Sequence, residues 1–388
     1  MPSFATTLVF SLVCAFAPSA FAAPTKGVDL SCRSKLTIDT DLVAQNAIAA
    51  TNQSWEYGAL TEALIELQSP ALSVFAGKKS IPPPTGSNDI PGAVWDIISS
   101  ILDAEQPGDA VFIDGAGAAG DPASLGVAAI LVNTVANNET WAEDIEKQLN
   151  HVLYDVPQSD EGAISQREDE VQYWADFMYM LPPTVAYYGA VLGGDNATAL
   201  LKNAHLQCKL YREALFDEDV SLWRHITGGS WQLNDHWATG NAWAAGGMTR
   251  VLATIQASDV ADELKSEQQD LIDWTNEILA GSYAYQALNG TLYNDIDQPD
   301  TSFVDAAGTA LITAAGYRLA SITGDVTYLA NMELAYNLVA ESIDDEGWLF
   351  NAVNPLTFDT PLTGDIRSPE GQSFVLALVA ARNDYWSI

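Results

Sequence analysis

Helical periodicity recurs along nearly the whole chain, and it constrains the fold more than any other feature. Apolar residues return at helical spacing over 39–67, 91–104, 122–137, 139–153, 170–192, 196–216, 237–256, 259–280, 300–322, 325–342 and 368–384. Several segments open on start signals: Asp39 and Asp41 precede the first, Asp121-Pro122 reads as N-cap and first turn of the third, and Ser368-Pro369-Glu370 begins the last. Strand-like alternation is scarce, so the chain reads as all-α. Eleven segments, or twelve if the long first one is broken, leave about 60 residues for each helical pair. A closed (α/α)6 toroid of six helical hairpins requires pairs of that size. An open solenoid gives a similar pattern, but the repeats here are not strict. No linker or low-complexity run divides the chain, and 11 Trp, 14 Tyr and 12 Phe are ample for a large core. The expectation is one (α/α)6 domain over residues 24–388.

Residues 1–23, MPSFATTLVFSLVCAFAPSAFAA, carry no charged side chain, an apolar stretch from Leu8 to Ala17, and an A-x-A pattern at Ala20-Phe21-Ala22. This reads as a secretory signal peptide that lacks the usual basic start. The stretch is short for a bilayer span, and no later run reaches the roughly 18 to 20 apolar residues a transmembrane helix needs. A secreted, extracellular protein is therefore expected. Loss of Cys14 with the signal leaves Cys32 and Cys208, an even pair in an oxidising compartment that is expected to be bridged; two separate buried thiols are the alternative. Asn-x-Ser/Thr triplets at Asn52, Asn138, Asn196 and Asn289 fit a eukaryotic, fungal-type secretory route.

With 16 basic and 51 acidic residues, the formal charge is −35. A field of that sign repels nucleic acid and anionic membrane surfaces, so neither is an expected partner. A small anionic substrate stays possible, because a local Arg or His reverses the sign within one pocket.

The densest polar and aromatic constellation lies between Ile164 and Arg250. Its first part is ISQREDEVQYWADFMYMLPPTVAYYG. With Glu170 to Leu181 as a helix, Trp174, Phe177, Met178 and Leu181 form one apolar face and Asp176 sits beside it. A carboxyl flanked by Trp174 and Tyr179 is partly desolvated, which raises its pKa and suits a general acid. An Asp in an aromatic helix also serves as a hydrogen-bonded structural residue. The second part is LFDEDVSLWRHITGGSWQLNDHWATGNAWAAGGMTRVL, with Trp223, Trp231, Trp237 and Trp243 beside His225 and His236, two of only four His. Aromatic faces stack on sugar rings while Asn, His and Asp fix hydroxyls, so this enrichment suits a carbohydrate pocket; Trp as filler of a large core is the plainer alternative. Gly240 and Gly246-Gly247 permit close backbone approach.

The segments YWADFMYMLPPTVAYYG, LFDEDVSLWRHI and HWATGNAWAAGGMTRVLA resemble successive motifs of glycoside hydrolase families 88 and 105, the unsaturated glucuronyl and rhamnogalacturonyl hydrolases of the six-hairpin superfamily. DPASLGVAAILVN and TSFVDAAGTALITAAGYRLA extend the likeness more faintly. The resemblance implies Asp176 as general acid and base, assisted by Asp121, with Asp114 as fallback. It also implies His236, Trp237 and Trp243 as pocket residues, with Asn241 shaping the turn, and Trp174 and His225 beside them. One position departs: where the family motif usually has Arg before Gly-Asn, at the uronate end of the site, this chain has Thr239. Arg167, Arg224 and His225 are the candidates for the missing charge.

The expected substrate is then a short oligosaccharide, of pectin or rhamnogalacturonan type, ending in a 4,5-unsaturated uronic acid whose double bond is hydrated. The alternatives are an inverting glycosidase using Asp176 with Asp121 or Asp235, with the Asp344-Asp345 dyad of IDDEGW as a weaker choice, and a noncatalytic carbohydrate-binding toroid. No Cys/His cluster, HExxH, phosphate loop or GxSxG elbow is present in the sequence, so neither metal nor cofactor is expected.

Overall fold

The computed structural model describes residues 33–77, 81, 89–104 and 111–387. The expected signal peptide and Cys32 lie outside the described residues. Fourteen helices are described among them: α1 (Thr40–Ala50), α2 (Ser54–Gln68), α3 (Gly92–Ala104), α4 (Gly120–Ala123), α5 (Gly126–Ala136), α6 (Glu139–Asn150), α7 (Phe177–Met180), α8 (Pro182–Leu192), α9 (Gly194–Leu215), α10 (Ala238–Ala257), α11 (Lys265–Ala284), α12 (Ala306–Thr323), α13 (Leu329–Glu341) and α14 (Pro369–Trp386). Four short strands, β1 (Gln172–Trp174), β2 (Phe216–Asp217), β3 (Leu222–Trp223) and β4 (Ile226–Gly228), make two antiparallel pairs, β1 with β4 and β2 with β3.

The helices form an (α/α)6 toroid. Its inner ring runs through α2, α4–α5, α7–α8, α10, α12 and α14, and α14 packs back on α2 to close it. The other six, α1, α3, α6, α9, α11 and α13, lie outside. Burial separates the two sets: α12 is buried without a break from Ala306 to Ala320 and α14 from Pro369 to Arg382, as enclosed helices must be. On outer α9, burial is confined to a stripe that includes Ala197, Leu201, Ala204, Cys208, Tyr211 and Leu215. Cys208 is thus a fully buried residue of that stripe. No helix among the described residues is long and apolar enough to cross a membrane. Asn52, Asn196 and Asn289 are exposed, whereas Asn138 is half-buried and its Oδ1 caps α6 at the N–H groups of Thr140 and Trp141.

Two local readings need correction, and the break left open within the first segment is present. The periodic stretch 39–67 is two helices: Glu56 Oε2 accepts from the N–H groups of Asn52 and Gln53, so a fresh N-terminus starts at Ser54. Asp121 stands in the first turn of α4, with Ala119 at the cap. The larger correction concerns 170–192. Residues 172–174 are a strand, because Gln172, Tyr173 and Trp174 pair in register with Gly228, Thr227 and Ile226. Asp176 therefore stands at the N-cap position of a new short helix, without a side-chain cap bond, instead of riding on a long one, and the helix restarts at Pro182, whose ring is tolerated only in a first turn.

Close approach in the ring requires glycine at Gly247, where an added Cβ would fall 1.9 Å from the Met178 carbonyl oxygen, a backbone atom. At Gly246 the nearest atoms are side-chain carbons of Tyr179 and Leu311 at 3.3 and 3.4 Å. Gly247→Ala should therefore cost about 3 kcal/mol through forced backbone separation, and Gly246→Ala clearly less. Urea midpoints of the two variants check this; equal midpoints would contradict the packing argument.

Candidate active site

The inner helices all enter the ring from the same end, and most begin on an acid. Glu56 lies in the first turn of α2, Asp121 in that of α4 and Glu370 in that of α14, while Asp305 caps α12 and Asp176 stands at the N-cap position of α7. These groups sense one another: the Asp176 charge acts on Asp121, and Glu56, Asp176 and Asp305 all act on Glu370. At α10 the corresponding place is taken by Trp237, Ala238 and Thr239.

Asp176 is positioned by the β1–β4 pair. Beyond Trp174↔Ile226, the Ala175 N–H donates to the His225 carbonyl at 2.9 Å, so Asp176 and His225 meet although they are distant in sequence. Asp176 Oδ2 lies 3.3 Å from His225 Nε2, and its side chain keeps 14% exposure. The His225 ring is fully buried among Trp237, Phe358 and Trp174, at centroid distances of 4.4, 5.0 and 5.8 Å. Trp174 packs edge-on against Trp231, which is 44% exposed, and Phe358. Gln172 locks this wall, accepting from Trp174 Nε1 and donating to the Trp231 carbonyl, both at 2.7 Å. Asp176 thus stands at the foot of an aromatic wall whose upper edge meets water, as a sugar-stacking surface requires.

Asp121 Oδ1 accepts from Gln166 Nε2 at 2.8 Å. Burial pushes its carboxyl up to about 7; the Gln166 bond opposes this, the Asp176 charge adds to it and Arg167 opposes it. Asp114, the fallback, is exposed and accepts from the Ala116 N–H in a turn. Asp344 and Asp345 are likewise exposed, and Asp344 Oδ1 accepts from the N–H groups of Glu346 and Trp348, which removes that dyad from the site. At the rim, His236 Nδ1 lies 3.0 Å from Asp297 Oδ1 and its Nε2 3.6 Å from Asp217 Oδ2, and Arg224 pairs with Asp217. Burial, with repulsion from Asp297 and Asp235, raises Asp295 to about 6.

Several residues expected to line the pocket are placed behind it. Asn241 is fully buried and spends its amide on backbone, accepting from the Trp223 N–H and donating to the Trp223 and Trp237 carbonyls. Trp243 packs in the core between Tyr179 and Phe374. Trp237 is buried with its Nε1 on Asn294, and His225 is sealed by rings. Trp174 is half-buried, and His236 is buried with 11% of its side chain exposed. Thr239 is also buried, its hydroxyl donating to Asp305 Oδ2 at 2.8 Å, so a neutral hydrogen bond holds that carboxylate.

Phe358, in the left-handed region at φ 58°, carries no sequence signal that marks it for the site. Glu370 was legible only as a helix-start residue. Burial holds it well above the usual carboxylate range, with Glu56 adding to the effect, although Trp55 Nε1 donates to its Oε2 at 2.7 Å.

A six-hairpin ring with two neighbouring acids at an aromatic mouth suits a toroidal glycoside hydrolase. The chain belongs to glycosyl hydrolase family 88, whose model matches residues 109–368. Among solved structures it resembles a possible member of the GH105 family from Salmonella enterica serovar Paratyphi A, with a TM-score of 0.68 and 17% identity over 93% of this chain and 99% of that one. It also resembles glycosyl hydrolase family 88 from Bacteroides vulgatus (TM-score 0.64, 15% identity, 89% and 97% covered) and an unsaturated glucuronyl hydrolase specific for heparin (0.63, 14%, 90% and 96%). No curated protein matches the chain in sequence. The protein is a glycoside hydrolase.

Asp121 generates a pH test. Raised in the fold, it binds more protons folded than unfolded between about pH 4 and pH 7, so its contribution to stability is present below that window and is lost as pH rises through it. Asp121→Asn should shrink the fall in urea midpoint between pH 4 and pH 7; an unchanged difference would show that Asp121 is not the group responsible.

Proposed function

We propose that this hydrolase acts on short oligosaccharides that end in a 4,5-unsaturated uronic acid, with Asp176 as the acid and base of the reaction. The observation that carries the reading is Asp176 beside Asp121, half dry at the foot of the Trp174–Trp231–Phe358 wall. Membership of family 88 and the neighbour described as an unsaturated glucuronyl hydrolase supply the substrate class.

The chemistry starts from a vinyl ether. Asp176 delivers a proton to C4, positive charge develops at C5 and on the ring oxygen, and water adds at C5 while the ionised carboxylate takes the proton that water releases. The resulting hemiketal opens and expels the neighbouring sugar. Glycosidic cleavage is then a consequence of hydration, and no carboxylate acts as nucleophile. Asp121 assists: burial, with the Asp176 charge adding to it, raises its carboxyl to about 7, so near neutral pH it can hold a proton beside Asp176. His225, out of reach of the sugar, orients Asp176.

Lyase-generated oligosaccharides followed by the ultraviolet absorbance of the conjugated double bond test this directly. The absorbance should disappear on incubation. Asp176→Asn should lower the rate about 100-fold or more while leaving circular dichroism unchanged. Release of reducing sugar only from saturated substrates would instead mean an inverting glycosidase, and a near-normal rate in the variant would mean that another acid does the work.

A further inference from the structure

An anionic sugar must find a positive charge in a strongly acidic protein, and most cations near Asp176 are already committed. Arg224 is paired with Asp217, and His236 stands between Asp297 and Asp217. His225 is closed off by rings. Thr239, on α10, offers a hydroxyl that Asp305 already takes.

Arg167 differs. Its segment runs antiparallel beside the loop into α4: Ala119 N–H donates to the Gln166 carbonyl at 2.7 Å, Glu168 N–H to the Gly117 carbonyl at 3.1 Å, and Ala118 bridges Arg167. That pairing sets Gln166 on Asp121 and lays the Arg167 guanidinium against Gly117, where a Cβ would sit 2.5 Å from Nη2. Gly117, at φ 85°, therefore makes both the turn and the room. Among the described residues the nearest carboxylate partner in an ion pair is the exposed Asp169, at 3.9 Å, beyond hydrogen-bond distance. The side chain is 28% exposed, so its charge is partly desolvated while part of it stays open to solvent. Its effect is already felt at Asp121, where it opposes the rise caused by burial.

We propose that Arg167 is the specificity-determining residue of this site, binding the carboxylate of the uronyl substrate through its planar guanidinium. The proposal rests on the hydration reading for the presence of that carboxylate. Gly117 and the 117–119/166–168 pairing hold the guanidinium in place, and the surrounding acids make it the counter-charge without which an anionic sugar is repelled.

The test compares an unsaturated uronyl disaccharide as free carboxylate and as methyl ester, in the wild type, Arg167→Gln and Arg167→Lys. The wild type should prefer the carboxylate, and the ratio of kcat/KM for acid over ester should fall about 10- to 100-fold in Arg167→Gln, mainly through KM, and return in part in Arg167→Lys. An unchanged ratio would overturn the proposal, even with a lower overall rate, since loss of packing or a shift at Asp121 affects both substrates alike. If Arg167→Gln fails to fold, Arg167→Met, which keeps an apolar stem over Gly117, takes its place. If the wild type hydrates neither substrate, the hydration reading fails and calorimetry with a saturated methyl uronoside decides the rest: weaker binding in Arg167→Gln upholds the carboxylate site, and equal binding overturns it.

Discussion

Burial of carboxyl groups at the starts of the inner helices is the interaction on which the site depends. Glu56, Asp121, Asp176, Asp305 and Glu370 are brought to one end of the ring by its closure. Dehydration there favours the neutral acid, raising Asp121, Asp305 and Glu370, while a helix N-terminus and donors such as Thr239 and Trp55 favour the anion. The balance differs from one acid to the next, so chemically similar side chains acquire different proton affinities within a single mouth. That difference is what acid–base chemistry needs.

The far end of the ring solves a separate problem. Arg250, on α10, lies 2.5 Å from both Glu62 and Glu66 of α2; Arg318, on α12, shares Glu66 and reaches Asp384 of α14. Tyr179 and Phe75 face the two guanidinium groups. The buried part of this network, Arg250, Arg318, Glu62 and Glu66, adds little net stability over an apolar core, but removing one of these four strands a charge, at a cost of about 3 to 5 kcal/mol. Its consequence is register: four inner helices are held at fixed depth, and their opposite ends, where the acids stand, inherit that alignment.

Much of the fold was legible because helices leave a local trace. The α9 stripe from Ala197 to Leu215 repeats at helical spacing and marks an outer helix by itself. The stretch 170–192 misled for the opposite reason. Its aromatic residues also suit a helix, and the partner that makes 172–174 a strand lies at 226–228. Trp237 and Trp243 show the same limit in the site: aromatic enrichment marked them as pocket-like, yet each is consumed by a neighbour that no motif names, Asn294 and Phe374.

By itself the sequence determined the number and order of the helical pairs, their family-88 motifs and the candidate acids, because periodicity, caps and short motifs are properties of neighbouring residues. Tertiary structure alone decided which acids lose their water, which aromatic rings border Asp176 and which cations are closely paired with carboxylates. Those outcomes depend on distance and dielectric between segments that share no sequence neighbourhood. Asp176 and His225, joined by one antiparallel pair of three-residue strands, are the clearest instance.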